Sequence, residues 1–276
     1  MNQSEAGGCP GEGLRLRRGK DNAEETALRH SNATVFTNRA TKIWEKDPLS
    51  VAENVEKIRE RVEKAARHVG RNPEGVTIVA VTKTVDMGRI QEAVSAGISV
   101  LGENRVQDAR EKIQKIDRAV QWHMIGHLQT NKAREAAVLF DMVHSVDSLR
   151  VAQALNVEAG KQGKKLPVLV QVNISEEVSK SGVKSEEILD LIQSIAGMEN
   201  LAVQGLMTMP PYAEDPEKSR WVFRRLREMR DRIDQTGIPG VRMTHLSMGM
   251  SHDFETAVEE GATLIRIGTA IFGERD

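Results

Sequence analysis

Between Val76 and Phe272 the sequence repeats one unit, a short β-branched apolar run followed by a segment of helical periodicity. That alternation constrains the fold more than any other feature, because buried runs joined through helices make parallel sheets. The first run is Val76-Thr77-Ile78-Val79-Ala80-Val81-Thr82-Lys83. The others are Val100 to Asn104, Gln121 to Gly126, Met142 to Asp147, Pro167 to Asn173, Leu201 to Met209, Met243 to Gly249 and Leu264 to Phe272. Eight such units predict an α/β protein, a single closed (β/α)8 barrel, in preference to an open doubly wound sheet. No Gly-x-Gly-x-x-Gly follows the first run, which removes the dinucleotide fingerprint but not every open sheet.

The barrel is preceded by an amphipathic helix, in which Val51, Val55, Ile58, Val62, Ala65 and Val69 share a face and Gly70 stops the run. A second helix carries Ile90, Ala93 and Val94 and ends at Gly97, and a third, near Trp221 to Ile233, buries Val222, Leu226, Met229 and Ile233. Residues 1–48 lack apolar periodicity and mix Gly, Arg, Glu, Asn and Thr, so they read as a disordered N-terminal extension; an upstream sequence read from a misplaced start is the other reading. Residues 49–276 form the barrel domain.

Composition narrows the partners. The 276 residues carry 39 Lys and Arg against 40 Asp and Glu, so the long-range attraction of a nucleic-acid or anionic-membrane binder is missing. Aromatic residues make up 3%, too few for a base-stacking platform. No apolar run reaches membrane-spanning length and no signal peptide opens the chain. Cys9 is the only cysteine, which excludes an intrachain disulfide or a Cys-rich metal site and fits reducing surroundings. The expectation is a cytoplasmic protein with a small-molecule partner.

In a barrel of this kind the chemistry sits where strands end. Lys83 closes the first run; an isolated lysine is ordinarily a solvated or ion-paired surface group. One directed into a barrel mouth loses hydration, and its neutral amine condenses with an aldehyde. Asn104 ends the second run, either capping the next helix or donating to a ligand oxygen at the mouth. His123 and His127 stand across a glycine turn with no accompanying carboxylate, so no metal site is expected. Ser247-Met248-Gly249-Met250-Ser251-His252-Asp253 leads into a helix, and Arg266-Ile267-Gly268-Thr269 ends the last run. Ser and Gly at a helix start bare N–H groups for an anion, and the loops after strands seven and eight commonly hold phosphate. Alternation puts Leu264, Arg266 and Gly268 on one face; Arg266 is either a structural ion pair or a fixed cation facing the ligand. The acid and base clusters, such as Arg224-Arg225 to Arg232, read as solvated helix faces.

An aldehyde-capturing lysine, a phosphate cup and an arginine are the protein parts that hold pyridoxal 5'-phosphate. With Val81-Thr82-Lys83, Gly102-Glu103-Asn104, His123 to Lys132, Lys180-Ser181-Gly182, Gly205-Leu206-Met207, Leu246 to Ser251 and Arg266-Ile267-Gly268, the sequence resembles the pyridoxal phosphate homeostasis family. That family is a single-domain relative of the alanine racemase N-terminal barrel, and the resemblance runs from about Leu49 to Gly273. It implies a Schiff base on Lys83 and Arg266 at the pyridine nitrogen. It also implies phosphate on Ser247, Gly268 and Thr269, Met250 and Ser251 close by, and Asn104 lining the pocket. Thr84 and His127 stand where relatives vary, His127 at a position often proline in bacterial members. The implied activity is non-catalytic binding in vitamin B6 homeostasis, with PLP-dependent apoenzymes as recipients and a monomeric state.

Two rival functions remain at this point. An amino-acid racemase needs an electron sink and two bases, and in resembling racemases the second base is a tyrosine from an added C-terminal domain of a partner subunit. Here the chain stops just after the eighth run and its one tyrosine, Tyr212, lies in a loop. A barrel enzyme for a phosphorylated ligand, without PLP, would use the anion cup alone and would not depend on Lys83.

Overall fold

A computed structural model describes residues 50–116, 120–177 and 180–274. The predicted extension, residues 1–48, lies outside the described residues. In chain order the strands are β1 Thr77–Val81, β2 Val100–Glu103, β3 Gln121–Met124, β4 Met142–Val146, β5 Leu166–Gln171, β6 Leu201–Met207, β7 His245–Met250 and β8 Leu264–Ile267. Each pairs in parallel with its sequence neighbours, and β8 pairs with β1 through Ile78 opposite Ile265 and Val79 opposite Arg266. The sheet therefore closes as the eight-unit repeat predicts. Closure leaves no edge strand.

Helices α1 Val51–His68, α2 Met87–Ser95, α3 Val106–Ile113, α4 Ala133–Leu139, α5 Leu149–Lys161, α6 Ile188–Ala196, α7 Arg220–Gln235, α8 Phe254–Glu259 and α9 Thr269–Phe272 occur among the described residues. None of the described helices is long and apolar enough to cross a membrane. Strand alternation divides the apolar residues into two sets. Val79, Val100, Ile125, Met142, Leu169, Met207 and Leu264 fill the barrel interior, while a larger cluster lies between the strands and the helices.

α1 starts at Ser50, whose hydroxyl accepts from the Glu53 amide (3.2 Å) while the Glu53 carboxylate accepts from the Ser50 amide (2.8 Å). This reciprocal cap satisfies two orphan donors. Val69 caps the far end and is exposed, so the buried face closes at Ala66, one turn earlier than the periodicity implies. α1 then docks on the C-terminal units: Arg61 grips Glu255 of α8 through two bonds of 2.9 and 2.7 Å, and Asn54 donates to the Ile271 carbonyl of α9 (3.0 Å).

Two expectations change. The run from Leu264 to Phe272 is not one strand: β8 ends at Ile267 and Thr269–Phe272 is a turn of helix. The apolar Ala270, Ile271 and Phe272 serve that helix, with Ile271 and Phe272 buried. Nor are the α7 arginines all solvated. Arg220, Arg224 and Arg227 converge at 3.2, 2.8 and 3.1 Å on the nearly buried Glu260 carboxylate. Those contacts tie α7 to the end of α8.

Candidate functional site

Val79 and Val81 point into the barrel, so the same alternation carries Lys83, two residues beyond, to the mouth. Thr82 between them faces the helices and is fully buried. Its hydroxyl donates to Glu103 Oε1 (2.6 Å), and Lys112 Nζ bonds both that oxygen (2.6 Å) and the Thr82 carbonyl (2.7 Å). The Glu103 carboxylate is inaccessible to solvent, and its Oε2 has no partner. This buried ion pair bolts the end of β1 to β2 and α3. Directly after Lys83 the backbone turns through Thr84 at φ 60, a left-handed conformation that non-glycine residues rarely adopt, with the Thr84 hydroxyl donating to the Lys83 carbonyl (2.7 Å). Lys83 thus hangs from a rigid, sharply turned backbone.

Lys83 lines a cleft of about 640 Å³ together with Asn104, Arg105, Met124, Gly126 and His127. The Asn104 side chain is not the cap of α3; Arg105 holds that position and makes no side-chain capping bond. The cleft depends on Gly126, where a Cβ would lie 2.3 Å from the Asn104 carbonyl oxygen. A second cavity, about 300 Å³, is lined by Val81, Thr84, Arg89, Gly268 and Thr269. Lys83 and Asn104 therefore line one cavity, and Gly268 and Thr269 another.

The last two units form a polar rim. Ser251 Oγ accepts from the Gly268 amide (3.3 Å) and the Ala270 amide (3.2 Å), both at the start of α9. Long bonds of this kind are readily exchanged for a charged oxygen. Gly249, at φ 90, lets the end of β7 lie against α8, since a Cβ there would be 2.6 Å from the Ala257 Cβ. Met250, whose amide donates to Asp253 Oδ1 (2.7 Å), is exposed beside Ser251.

Ser247 stands apart from that rim. β7 continues to Met250, so Ser247 is an interior strand residue, fully buried, and not a strand end. Its hydroxyl accepts from Arg266 Nη1 (2.6 Å) and is 2.9 Å from His144 Nδ1. The hydroxyl that the resemblance assigns to phosphate is engaged elsewhere in this arrangement. Arg266 is 4% exposed, and its Nη2 donates to the Thr208 carbonyl (2.9 Å). Among the described residues no carboxylate lies within ion-pair distance of it, which is unusual for a buried charge. Burial pushes its guanidinium down to about 10, partly opposed by Asp253, so it stays a cation at neutral pH.

His144 Nε2 lies 3.0 Å from His123 Nδ1, and both rings are buried. Burial first, then the neighbouring His245, pushes His123 down to about 4. Burial, followed by His123 and Arg266, holds His144 well below its ordinary value. Both imidazoles are neutral at pH 7. His127 is far from this pair in role: it is an exposed ring with Nδ1 3.2 Å from Asp147. Among the described residues no three potential metal ligands converge.

Sequence reasoning missed His144, Thr208 and the Glu103–Lys112 pair. His144 had a signal, because Met142 and His144 alternate on one face of β4 and Met142 points inward. Tyr212 is 82% exposed and stacks at 5.5 Å on His252, outside the barrel interior.

Residues 54–276 match the alanine racemase N-terminal domain family. A pyridoxal phosphate homeostasis protein from Aquifex aeolicus is 41% identical over 228 residues, covering 82% of this chain and 99% of the relative. The chain belongs to the pyridoxal phosphate homeostasis family. PipY of Synechococcus elongatus has been solved with PLP bound; it is 33% identical, with a TM-score of 0.72, 81% of this chain covered and 100% of PipY. Alanine racemase from Clostridium difficile shares the fold alone, at 16% identity and a TM-score of 0.64, with 57% of that enzyme covered.

Proposed function

We propose that this chain is a non-catalytic binding protein for pyridoxal 5'-phosphate, a cytoplasmic monomer that holds the cofactor on Lys83 and yields it to apoenzymes. The observation that carries the reading is Arg266, a buried guanidinium without a carboxylate partner, on the strand whose next residues form the polar rim. A pyridine nitrogen accepts a hydrogen bond without bringing a charge, and a phosphate at the rim brings the anion, so these residues fit the group. The PLP carried by PipY supports the choice of ligand.

When bound, the cofactor would supply an aldehyde carbon to the Lys83 amine, the residue that would hold it covalently. The rest is the chain's own work. Ser251 with the Gly268 and Ala270 amides forms the anion site, and Thr269 adds a hydroxyl beside it. Asn104 and Met250 flank the mouth, and Arg266 donates to the ring nitrogen. Ser247, in this reading, orients Arg266.

The same arginine supports a non-catalytic role. Arg266 donates a hydrogen bond but keeps its proton, so the ring nitrogen stays unprotonated and the cofactor withdraws electrons weakly. Racemisation also needs bases on both faces, and the one tyrosine is 82% exposed, packed on His252 and lining neither cavity. Adding PLP to the purified protein should produce a visible band that Lys83→Ala abolishes, with no racemisation of amino acids. A colourless protein would refute the cofactor reading. Turnover of alanine that Tyr212→Phe removes would refute the non-catalytic one.

A further inference from the structure

Four polar side chains and one carbonyl in the barrel interior form a continuous hydrogen-bonded chain beneath the mouth. It runs from the Thr208 carbonyl to Arg266 (2.9 Å), Ser247 (2.6 Å), His144 (2.9 Å) and His123 (3.0 Å). We propose that Ser247, His144 and His123 are a positioning relay for Arg266, orienting its guanidinium toward the ring nitrogen of the bound cofactor. The proposal rests on the cofactor reading above.

Donor and acceptor chemistry gives the relay a direction. A guanidinium only donates, so Ser247 Oγ must accept from Arg266. The Ser247 hydroxyl proton then needs an acceptor, and His144 Nδ1 is the one in reach. That leaves the His144 proton on Nε2, where it donates to His123 Nδ1. Every bond is satisfied with both rings neutral. The opposite direction, with the proton on His144 Nδ1, leaves the buried serine proton without an acceptor among its side-chain partners.

Thr208, the other anchor, is itself fixed: its amide donates to the Ser247 carbonyl (3.1 Å) and its hydroxyl to the Val172 carbonyl (2.9 Å). Arg266 is therefore held at two nitrogens, by Ser247 of β7 and by Thr208 just beyond β6. A purely structural interior would favour apolar packing over an unpaired cation with two imidazoles. Neutral acceptors give the guanidinium a fixed orientation while leaving its charge uncompensated for a ligand.

The test uses the full chain and PLP as probe. Wild type, Ser247→Ala, His144→Leu and His144→Asn are compared by PLP dissociation constant and by the absorption maximum of the bound cofactor. Ser247→Ala and His144→Leu should bind about tenfold more weakly with a displaced maximum. His144→Asn, whose Oδ1 replaces the Nδ1 acceptor, should return both toward wild type. Folded Ser247→Ala and His144→Leu proteins with unchanged affinity and maximum overturn the relay. Should those variants not fold, nitrogen NMR of wild-type histidines decides: a proton on His144 Nε2 supports the relay and one on Nδ1 overturns it. A wild type that takes up no PLP overturns the cofactor reading itself, whereas PLP uptake with unaffected variants overturns the relay alone.

Discussion

Replacing His123 by asparagine removes one of two imidazoles that the barrel keeps uncharged, and its effect on acid stability follows from linkage. The folded ring is pushed from 6.5 down to about 4 by burial and by His245. The unfolded state therefore binds more protons below the ordinary value. The stabilisation is complete above 6.5 and is lost as pH falls toward the folded value. Between about pH 7.5 and about pH 5.5, one histidine that protonates only when unfolded costs roughly 1.3 kcal/mol of stability. That figure depends little on the folded value, because about pH 5.5 is still well above it. The Glu217 carboxylate, held low by its Arg220 hydrogen bonds, and the Glu260 carboxylate, which burial raises but Arg224, Arg220 and Arg227 together bring below its ordinary value, lose their contributions only below 4.5. Urea unfolding of wild type and His123→Asn at the two pH values measures the effect. His144 shifts in the same direction, so wild type should lose more than the single-histidine amount and the variant about 1.3 kcal/mol less than wild type. Equal losses in the two proteins would refute the claim that His123 is neutral when folded.

Gly126→Ala forces a Cβ to 2.3 Å from the Asn104 oxygen, so the β3 turn must move; we expect a loss of roughly 1–3 kcal/mol by thermal unfolding and weakened PLP uptake. Glu260→Gln removes the carboxylate on which three arginines converge. Because those arginines reach solvent, the expected loss is on the order of 1 kcal/mol, and it should shrink in high salt.

The barrel was legible because short, mostly apolar runs recur between helical segments, a pattern that survives the polar residues carried by β3, β4 and β7. Lys83 and Arg266 were legible for a related reason: simple alternation from Val79 and Leu264 carries both to the inward face. Overrun at β8 has a local cause, since Gly268 leaves the strand at ψ −81 while Ala270-Ile271-Phe272 keeps the apolar composition of a strand. The expected run Met243 to Gly249 contained Ser247, and β7 pairs through it with β6 at Met207 and with β8 at Leu264 and Arg266; what the sequence could not show is that its hydroxyl meets Arg266 and His144 across the barrel. His144 and Glu103 escaped notice because their partners, at sequence separations of 21 and 9, meet only when neighbouring strands and helices close over them.

Borohydride reduction of the PLP-treated protein, followed by mass analysis of its peptides, tests the central claim most directly. The account predicts one reduced pyridoxyl group, on the peptide containing Lys83. Label on another lysine, or none at all, would contradict it.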